Sequence, residues 1–307
     1  MSDDAKVETK VAVVFASFNR KEVALECIAR LRAQTRQPDR VVVADNASED
    51  GSAEAMRELA WECLEVIDTG GNLGNAGAVR MAMEHSFEEG CDAVWILDDD
   101  SWPRRDALEG MLADDWDPEV LRHPLQEDPA TGRFTWPLQL VHDDGTVTMA
   151  SSVDELPPGK RLRSRGVWTG ALISRRIREV AGPVNAELFI RGEDEEYPWR
   201  IEQAGFRSEA VRAAVLDHPG PKDLVRLGFL GRSLFLERGL SNWKLYYKVR
   251  NMVWLKRAQS GLSGALAMSV AYGLALMRFG EFRLISAWFA GVRDGLAGRL
   301  GRKDFGP

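Results

Sequence analysis

The sequence predicts an α/β fold, in which a mostly parallel sheet is flanked by helices, followed by a helical C-terminal segment. Over roughly the first third of the chain, apolar runs of strand length alternate with amphipathic stretches of helix length, and the connections are short. Beyond residue 240 the chain becomes basic and apolar. We therefore expect one domain over residues 1–220 and a helical, basic segment over residues 221–307.

The first predicted strand covers residues 11–15, a continuous apolar run rich in β-branched side chains, which is typical of a buried parallel strand. An amphipathic helix over 21–34 follows, with Val23, Ile28 and Leu31 near one face. The other predicted strands are 40–44, 64–67, 93–97, 167–173 and 214–217, with a hairpin formed by 134–140 and 147–152. The other predicted helices are 52–60, 76–88, 106–114, 175–181 and 194–204, and the rest of 101–165 is read as a variable insertion.

Polar clusters follow the predicted parallel strands at their carboxyl ends, at residues 17–20, 45–48, 70–77 and 98–100. In open α/β sheets this edge is where ligands bind, so the clusters predict one shared site. The glycine-rich turn 70–77 lacks the GK[ST] of a phosphate-binding P-loop. It is not a GxGxxG after the first strand either, which disfavours a dinucleotide-binding fold.

Three aspartates end the strand at 93–97. Successive strand residues point to opposite faces, so Asp98 and Asp100 share one face and Asp99 takes the other. Two adjacent carboxylates need a cation, and Mg²⁺ or Mn²⁺ prefers such oxygen ligands. The alternative is an acidic, solvated turn. His218 follows another strand end and is a suitable third ligand, although a lone histidine is also commonly structural.

Four consecutive carboxylates, residues 193–196, begin a predicted helix. Acidic residues in a first turn are favourable through the helix dipole alone, which is the structural explanation. The functional explanation is that one of them is a general base. Pro198 is compatible with the first turn of the helix, which supports its start near Asp194.

Charge is distributed unevenly along the 307 residues. Residues 241–307 contain 11 Lys and Arg against 3 Asp and Glu, a net +8, so the net charge of −7 leaves −15 for the rest. This asymmetry indicates a partner for the tail; nucleic acid is disfavoured because the whole chain is acidic and carries no reader motif. Three widely spaced cysteines indicate a reducing compartment, and the polar residues 1–10 carry no export signal.

Residues 258–277 form an uncharged run at the lower length limit for crossing a bilayer. Three interpretations remain open: a spanning helix, a core helix, or a helix lying on an anionic membrane surface with Phe282, Trp288 and Phe289 inserted. The third predicts a peripheral protein at the cytoplasmic side of the cell membrane.

A series of motifs in fixed order resembles family 2 glycosyltransferases of the GT-A fold: VAVVFASFNR, VVVADNASEDGS, GGNLGNAGAVRMAM, WILDDD, TGALISRR, LFIRGEDEEYPWRI and a downstream histidine. The resemblance covers residues 10–220. Within the family, the sequence is most similar to bacterial galactofuranosyltransferases that act on polyprenyl-linked cell-wall glycans. Asn75 and Ala78 depart from the double glycine common in those enzymes.

The resemblance implies a role for each matching residue. Asp194 would be the catalytic base, and Asp98, Asp100 and His218 would hold Mn²⁺ or Mg²⁺. The nucleotide sugar would be bound by Ser17, Asn19, Arg20, Asp45, Asn72, Gly74, Asp98 and Asp99. The acceptor would contact Trp168, Gly170 and Glu193.

These roles describe a metal-dependent, inverting transfer from UDP-galactofuranose to a polyprenyl-diphosphate-linked glycan. A rhamnosyltransferase using dTDP-rhamnose is the alternative donor chemistry. A nucleotide-sugar-binding scaffold without activity is the alternative of another class. A homo-oligomer is compatible with either class.

Overall fold

The computed structural model describes residues 9–113, 116–220 and 239–303, together with the backbone of 224–229 and 232–237. The chain forms two compact units. The first unit contains Met1–Asn72, Ala78–Val184 and Tyr197–Gly220, and the second contains Leu73–Gly77, Asn185–Glu196 and Pro221–Pro307. The division into folding domains after residue 220 stays a prediction.

In its described part, the first unit has one sheet of 12 strands. The strands are β1 (Val11–Ser17), β2 (Arg40–Asp45), β3 (Leu64–Asp68), β4 (Ala93–Ile96), β5 (Trp102–Pro103), β6 (Val120–Asp128), β7 (Arg133–Phe134), β8 (Leu138–Val141), β9 (Val147–Ala150), β10 (Arg161–Ser164), β11 (Leu172–Ser174) and β12 (Arg207–Asp217). Their order is β3-β2-β1-β4-β11-β6-β12-β10-β8-β9, with β5 paired to β12 and β7 to β6.

The sheet is mixed. The ladders β1–β2, β1–β4, β2–β3 and β6–β12 are parallel, whereas β11 is antiparallel to both its neighbours. The parallel strands β1 to β4 are the ones that the sequence predicted, and the predicted hairpin is present as β8 and β9.

Eight described helices accompany the strands. They are α1 (Lys21–Arg32), α2 (Ser52–Arg57), α3 (Gly74–Glu88), α4 (Ala107–Leu112), α5 (Arg175–Ala181), α6 (Glu193–Gln203), α7 (Asn242–Arg278) and α8 (Ile285–Leu296). Helix α1 shows why these segments fold locally: Ile28 and Leu31 are buried on one face, Glu22 lies in its first turn, and Arg30 and Arg32 lie in its last. In the core of the first unit, this apolar face of α1 packs with side chains of β1, β2 and β4, including the fully buried Trp95.

Strand β6 lies in the middle of the sheet, within the stretch that the sequence analysis read as a variable insertion. Proline is rare in central strands because it lacks an N–H donor. Here Pro124 pairs with Val211 at the point where the register of β12 shifts, a β-bulge that accommodates it. Arg122, buried in the same strand, donates through Nη1 to the backbone oxygens of Met111 and Ala113, both at 2.8 Å.

The second unit contains the antiparallel pair β13 (Leu224–Phe229) and β14 (Arg232–Glu237), and this part of the predicted helical segment 221–307 is therefore extended rather than helical. Helices α7 and α8 lie in the remainder of that predicted segment. A cluster of buried apolar side chains joins the two helices, including Tyr246, Val253, Tyr272 and Leu276. The helical character predicted for the C-terminal segment is therefore confirmed for α7 and α8.

Candidate functional site

The pairing of β5 with β12 assembles an acidic and imidazole cluster in the first unit. Trp102 pairs with Asp217, so the turn that follows β4 lies beside the end of β12. Asp98, Asp100 and His218 each present one ligand atom there, and the three atoms lie within 4.8 Å of one another. All three residues are partly buried. We call these residues the acidic cluster.

Backbone and side-chain contacts orient His218 within the acidic cluster. The backbone N–H of His218 donates to the backbone oxygen of Glu127 at 2.8 Å. Its ring Nδ1 lies 3.1 Å from Ser101 Oγ and 3.8 Å from Asp100 Oδ1. Two carboxylate oxygens and one imidazole nitrogen fit Mn²⁺ or Mg²⁺, because hard divalent ions take carboxylates and Mn²⁺ also accepts imidazole.

Asp99 is 7 % exposed and lies with Asp100 in a turn, because β4 already ends at Ile96. The alternation of strand faces that the sequence predicted for the three aspartates therefore does not extend to them. Burial raises the pKa of Asp99 to about 7; the neighbouring Arg20 lowers it, and the charges of Asp100 and Asp98 raise it further. Arg20 Nη1 donates to Asp99 Oδ1 at 2.7 Å, and Nη2 donates to Asp100 Oδ2 at 2.9 Å. Arg20 therefore binds the aspartates directly, a contact that the sequence analysis missed.

Thr169 is a second residue that the sequence analysis missed. Its hydroxyl donates to Asp98 Oδ2 at 2.6 Å and orients that carboxylate. The adjoining Gly170 forms two hydrogen bonds to β4. Its N–H donates to Ile96 O at 2.7 Å, and its oxygen accepts from Trp95 Nε1 at 2.9 Å. A Cβ at Gly170 would lie only 2.7 Å from Pro124, so packing alone explains why this position is glycine.

Trp168, predicted to border the acceptor, is buried and contacts Tyr197 edge to face, with ring centroids 6.2 Å apart. Its indole Nε1 is buried without a hydrogen-bond partner in the described part of the chain. The acceptor roles of Trp168 and Gly170 stay predictions.

The predicted nucleotide-binding residues of β1 and β2 come together at the ends of these strands, where Ser17 pairs with Asp45. Asp45 Oδ2 accepts from Ser48 N at 3.0 Å, while Asp45 Oδ1 and Ser17 Oγ are buried with no partner among the described residues. Asn19 adopts a left-handed φ of 51° and its Oδ1 accepts from Glu49 N at 2.7 Å. Two buried polar atoms without partners suit a polar ligand.

The remaining predicted residues, apart from Asn72 of the first unit, lie in the second unit. Gly74 has a φ of +70°, and a Cβ there would lie 2.1 Å from the oxygen of Phe189, so only glycine fits. Asn75 Nδ2 donates to Glu193 Oε1 at 3.0 Å, which links the glycine-rich turn to the buried Glu193. Asp194 is exposed, and its Oδ1 accepts from Gly192 N at 2.8 Å.

Two buried residues of α7 hold the loop that precedes Asp194. Asn251 Nδ2 donates to the oxygens of Leu188, Ile190 and Arg191. Arg250 Nη2 donates to the oxygen of Leu188 at 2.9 Å, and its Nη1 donates to Gly301 O. Neither residue could be assigned from the sequence, because their partners are backbone atoms about 60 residues away.

Comparisons with known proteins find similarity to glycosyltransferases. Residues 12–120 match the sequence model described as glycosyl transferase family 2, a range that contains Asp98 and Asp100 but neither Asp194 nor His218. The chain is 26 % identical to galactofuranosyltransferase GlfT1 of Mycolicibacterium smegmatis, covering 96 % of this chain and 97 % of that protein. It is 27 % identical to galactofuranosyltransferase GlfT1 of Mycobacterium tuberculosis, covering 90 % and 89 %.

Among solved structures, the mannosyltransferase PcManGT from Pyrobaculum calidifontis, in complex with GDP-Man and Mn²⁺, aligns with a TM-score of 0.53 at 18 % identity, covering 96 % of this chain and 89 % of that one. S. aureus TarS aligns with a TM-score of 0.53 at 13 % identity, covering 81 % of this chain and 40 % of that one. At these identities the likeness concerns the fold.

Proposed function

We propose that the chain, a glycosyltransferase with a family 2 domain and a GT-A fold, transfers galactofuranose from UDP-galactofuranose to a lipid-linked glycan. The transfer inverts the anomeric carbon and depends on Mn²⁺ or Mg²⁺. The observation that carries the choice of donor is the match to two galactofuranosyltransferases along nearly their whole length. The acidic cluster supports the metal.

The proposed roles divide between holding the donor and activating the acceptor. Asp98, Asp100 and His218 hold the cation, and Asp45 with Ser17 offers buried polar atoms to the nucleobase and ribose. When bound, the metal supplies positive charge that stabilises the diphosphate leaving group. Arg20 adds a fixed positive charge beside the same aspartates.

Asp194 accepts the proton of the acceptor hydroxyl as that hydroxyl attacks the anomeric carbon. Its hydrogen bond from Gly192 N fixes the carboxylate, and the loop before it is held by Asn251. A single base and no covalent nucleophile give inversion at a carbon that becomes oxocarbenium-like. Asp194→Asn is expected to keep donor binding and to lose about 10²–10⁴-fold in transfer rate. Glu195→Gln, a change at the next exposed carboxylate, is the matched control.

The testing experiment uses a synthetic lipid-linked rhamnosyl-N-acetylglucosamine acceptor with Mn²⁺ or Mg²⁺. UDP-galactofuranose, UDP-galactopyranose and dTDP-rhamnose are offered separately, and the product is identified by mass spectrometry. We expect product from UDP-galactofuranose alone. Product from dTDP-rhamnose alone would show that the donor is dTDP-rhamnose and contradict the proposed donor. Mn²⁺-dependent UDP binding without any product would favour the non-catalytic scaffold.

We also propose that the protein is peripheral at the cytoplasmic side of the membrane, where a polyprenyl-linked acceptor is embedded. The support is the net charge of +8 in residues 241–307, since each basic residue near an anionic leaflet contributes about 1 kcal/mol to attachment. Whether the chain forms a homo-oligomer is measured by sedimentation in the same preparation.

A further inference from the structure

Helix α7 is two helical pieces joined at a kink. Ser260 has φ −140° and ψ 16°, and Gly261 has φ 69° and ψ −165°, neither of which is helical. The piece before the kink is buried in the core of the second unit through residues such as Leu245, Val249 and Leu255. The piece after the kink starts at Leu262 and is described below.

The piece after the kink exposes a row of apolar side chains. Leu262, Leu266, Val270, Leu274 and Met277 are between 43 % and 59 % exposed. Their spacing of four, four, four and three residues places them along one face of the helix. We call these five residues the apolar row.

The opposite face of the same piece packs within the second unit. Ala265, Ser269, Tyr272, Ala275 and Leu276 are buried there. Trp288 Nε1 of α8 donates to Ser269 O at 3.0 Å, and a side chain at Gly273 would lie 2.9 Å from the Trp288 ring. The helix therefore has one face held by protein and one apolar face open.

Basic residues bracket the apolar row, and no acidic residue interrupts it. Residues 258–277 contain no charged side chain. Exposed Arg257 lies before this run and exposed Arg278 directly after it, with Arg283 exposed further on. An apolar face with cations at its ends matches the boundary between the acyl chains and the anionic headgroups of a bilayer.

We propose that the apolar row inserts into one leaflet of an anionic phospholipid bilayer, with the second piece of α7 lying in the membrane plane. This goes beyond the proposed peripheral placement, on which it rests, by naming the inserting residues and the orientation. Helix α7 is the single described helix long and apolar enough to cross a membrane by length and composition. Its second piece alone, however, is about 17 residues or 25 Å long, shorter than the roughly 30 Å of hydrocarbon to be crossed. The first piece cannot extend it, because its side chains fill the core.

The first test is co-sedimentation of the full chain with vesicles of 70 % phosphatidylcholine and 30 % phosphatidylglycerol, without donor or acceptor. The triple variant Leu266→Ser, Val270→Ser, Leu274→Ser is expected to lower the partition coefficient about tenfold or more. The matched control changes three exposed apolar residues of the first unit, Val147→Ser, Met149→Ser and Val180→Ser, and is expected to bind as wild type. Equal binding of both variants would overturn the proposal.

The second test measures depth and does not depend on the triple variant. Single spin labels are placed at Leu266 and Leu274 in a Cys63→Ser background, since Cys27 and Cys91 are buried. These positions lie two turns or about 12 Å apart along the axis. Equal depth at both, from oxygen and nickel-chelate collision rates, supports the in-plane orientation, whereas depths that differ by about 12 Å would contradict it.

The alternative partner of the apolar row is a second copy of the chain, and the tests distinguish it from a membrane. Dimers in sedimentation velocity without lipid, lost in the triple variant, together with no vesicle binding, would overturn the proposal. Because no experiment here uses a nucleotide sugar, failure of membrane insertion and failure of the proposed sugar transfer are separate results.

Discussion

Replacing Arg20 with alanine tests how the chain holds three aspartates together. Arg20 is 44 % exposed, whereas its partner Asp99 is 9 % exposed at the side chain. Removing one partner of a fully buried ion pair costs about 3–5 kcal/mol. Because about half of Arg20 faces solvent, we discount this to about 2 kcal/mol of unfolding free energy. For a unit of about 200 residues, this lowers Tm by about 4–8 °C.

The pH dependence distinguishes this explanation from a general loss of packing. The pKa of Asp99 is raised to about 7, chiefly by burial, so the folded protein keeps a proton at pH 5 that it releases by pH 8. A carboxyl whose folded pKa is raised favours the folded state at low pH, and this contribution is lost as the pH rises from about 4 to about 7. Arg20→Ala should therefore cost about 2 kcal/mol at pH 8 and much less at pH 5.

The assay is thermal and urea unfolding of wild type and Arg20→Ala in EDTA at both pH values. Arg40→Ala is the matched control, because Arg40 also pairs with two carboxylates, but those of Glu65 and Glu89 are 38 % and 45 % exposed. Its expected cost is about 1 kcal/mol or less at either pH. An Arg20→Ala variant as stable as wild type at pH 8, or equally destabilised at both pH values, would refute the reasoning.

Three further predictions follow from the same structure. Burial lowers the pKa of His123 to about 4, so the contribution of His123 to the unfolding free energy should fall by about 3 kcal/mol between pH 6.5 and 4. The difference in unfolding free energy between wild type and His123→Gln, from urea titrations at several pH values, should show this slope. Asn251→Ala removes three hydrogen bonds to the backbone of the loop 188–191. It should lower kcat for transfer more than it raises the KM for the donor. Gly74→Ala should unfold at clearly lower urea than wild type, whereas Gly71→Ala, with nothing within 4 Å, should not.

Local pattern was enough to predict the parallel strands, the apolar tail helices and the location of the acidic cluster. The run ending in Asp98 reads as a buried strand because every side chain before it is apolar, and a parallel strand is covered on both faces. His218 was recognised because it follows the short apolar run 214–216 at the end of another strand. The two strand ends are neighbours through the β5–β12 pairing, which was not foreseen.

Contacts between distant segments were the part that the sequence did not reveal. Arg20 and Asp99 are separated by 79 residues, and nothing near either residue indicates the ion pair. Strand β6 was overlooked because Pro124 and Arg122 are unfavourable in a central strand when judged locally. A bulge in β12 and carbonyl partners from the α4 region compensate for them, and both depend on tertiary structure.

The most direct test of the metal proposal is a Mn²⁺ titration in the presence of UDP, with free Mn²⁺ counted by its electron paramagnetic resonance signal. We predict one tightly held ion per chain, with affinity reduced about tenfold or more by Asp100→Asn or His218→Ala. Asp143→Asn, the same charge change at a fully exposed site, should bind as wild type. Tight Mn²⁺ binding that survives both cluster substitutions, or no binding in wild type, would contradict the assignment of Asp98, Asp100 and His218 as the metal site.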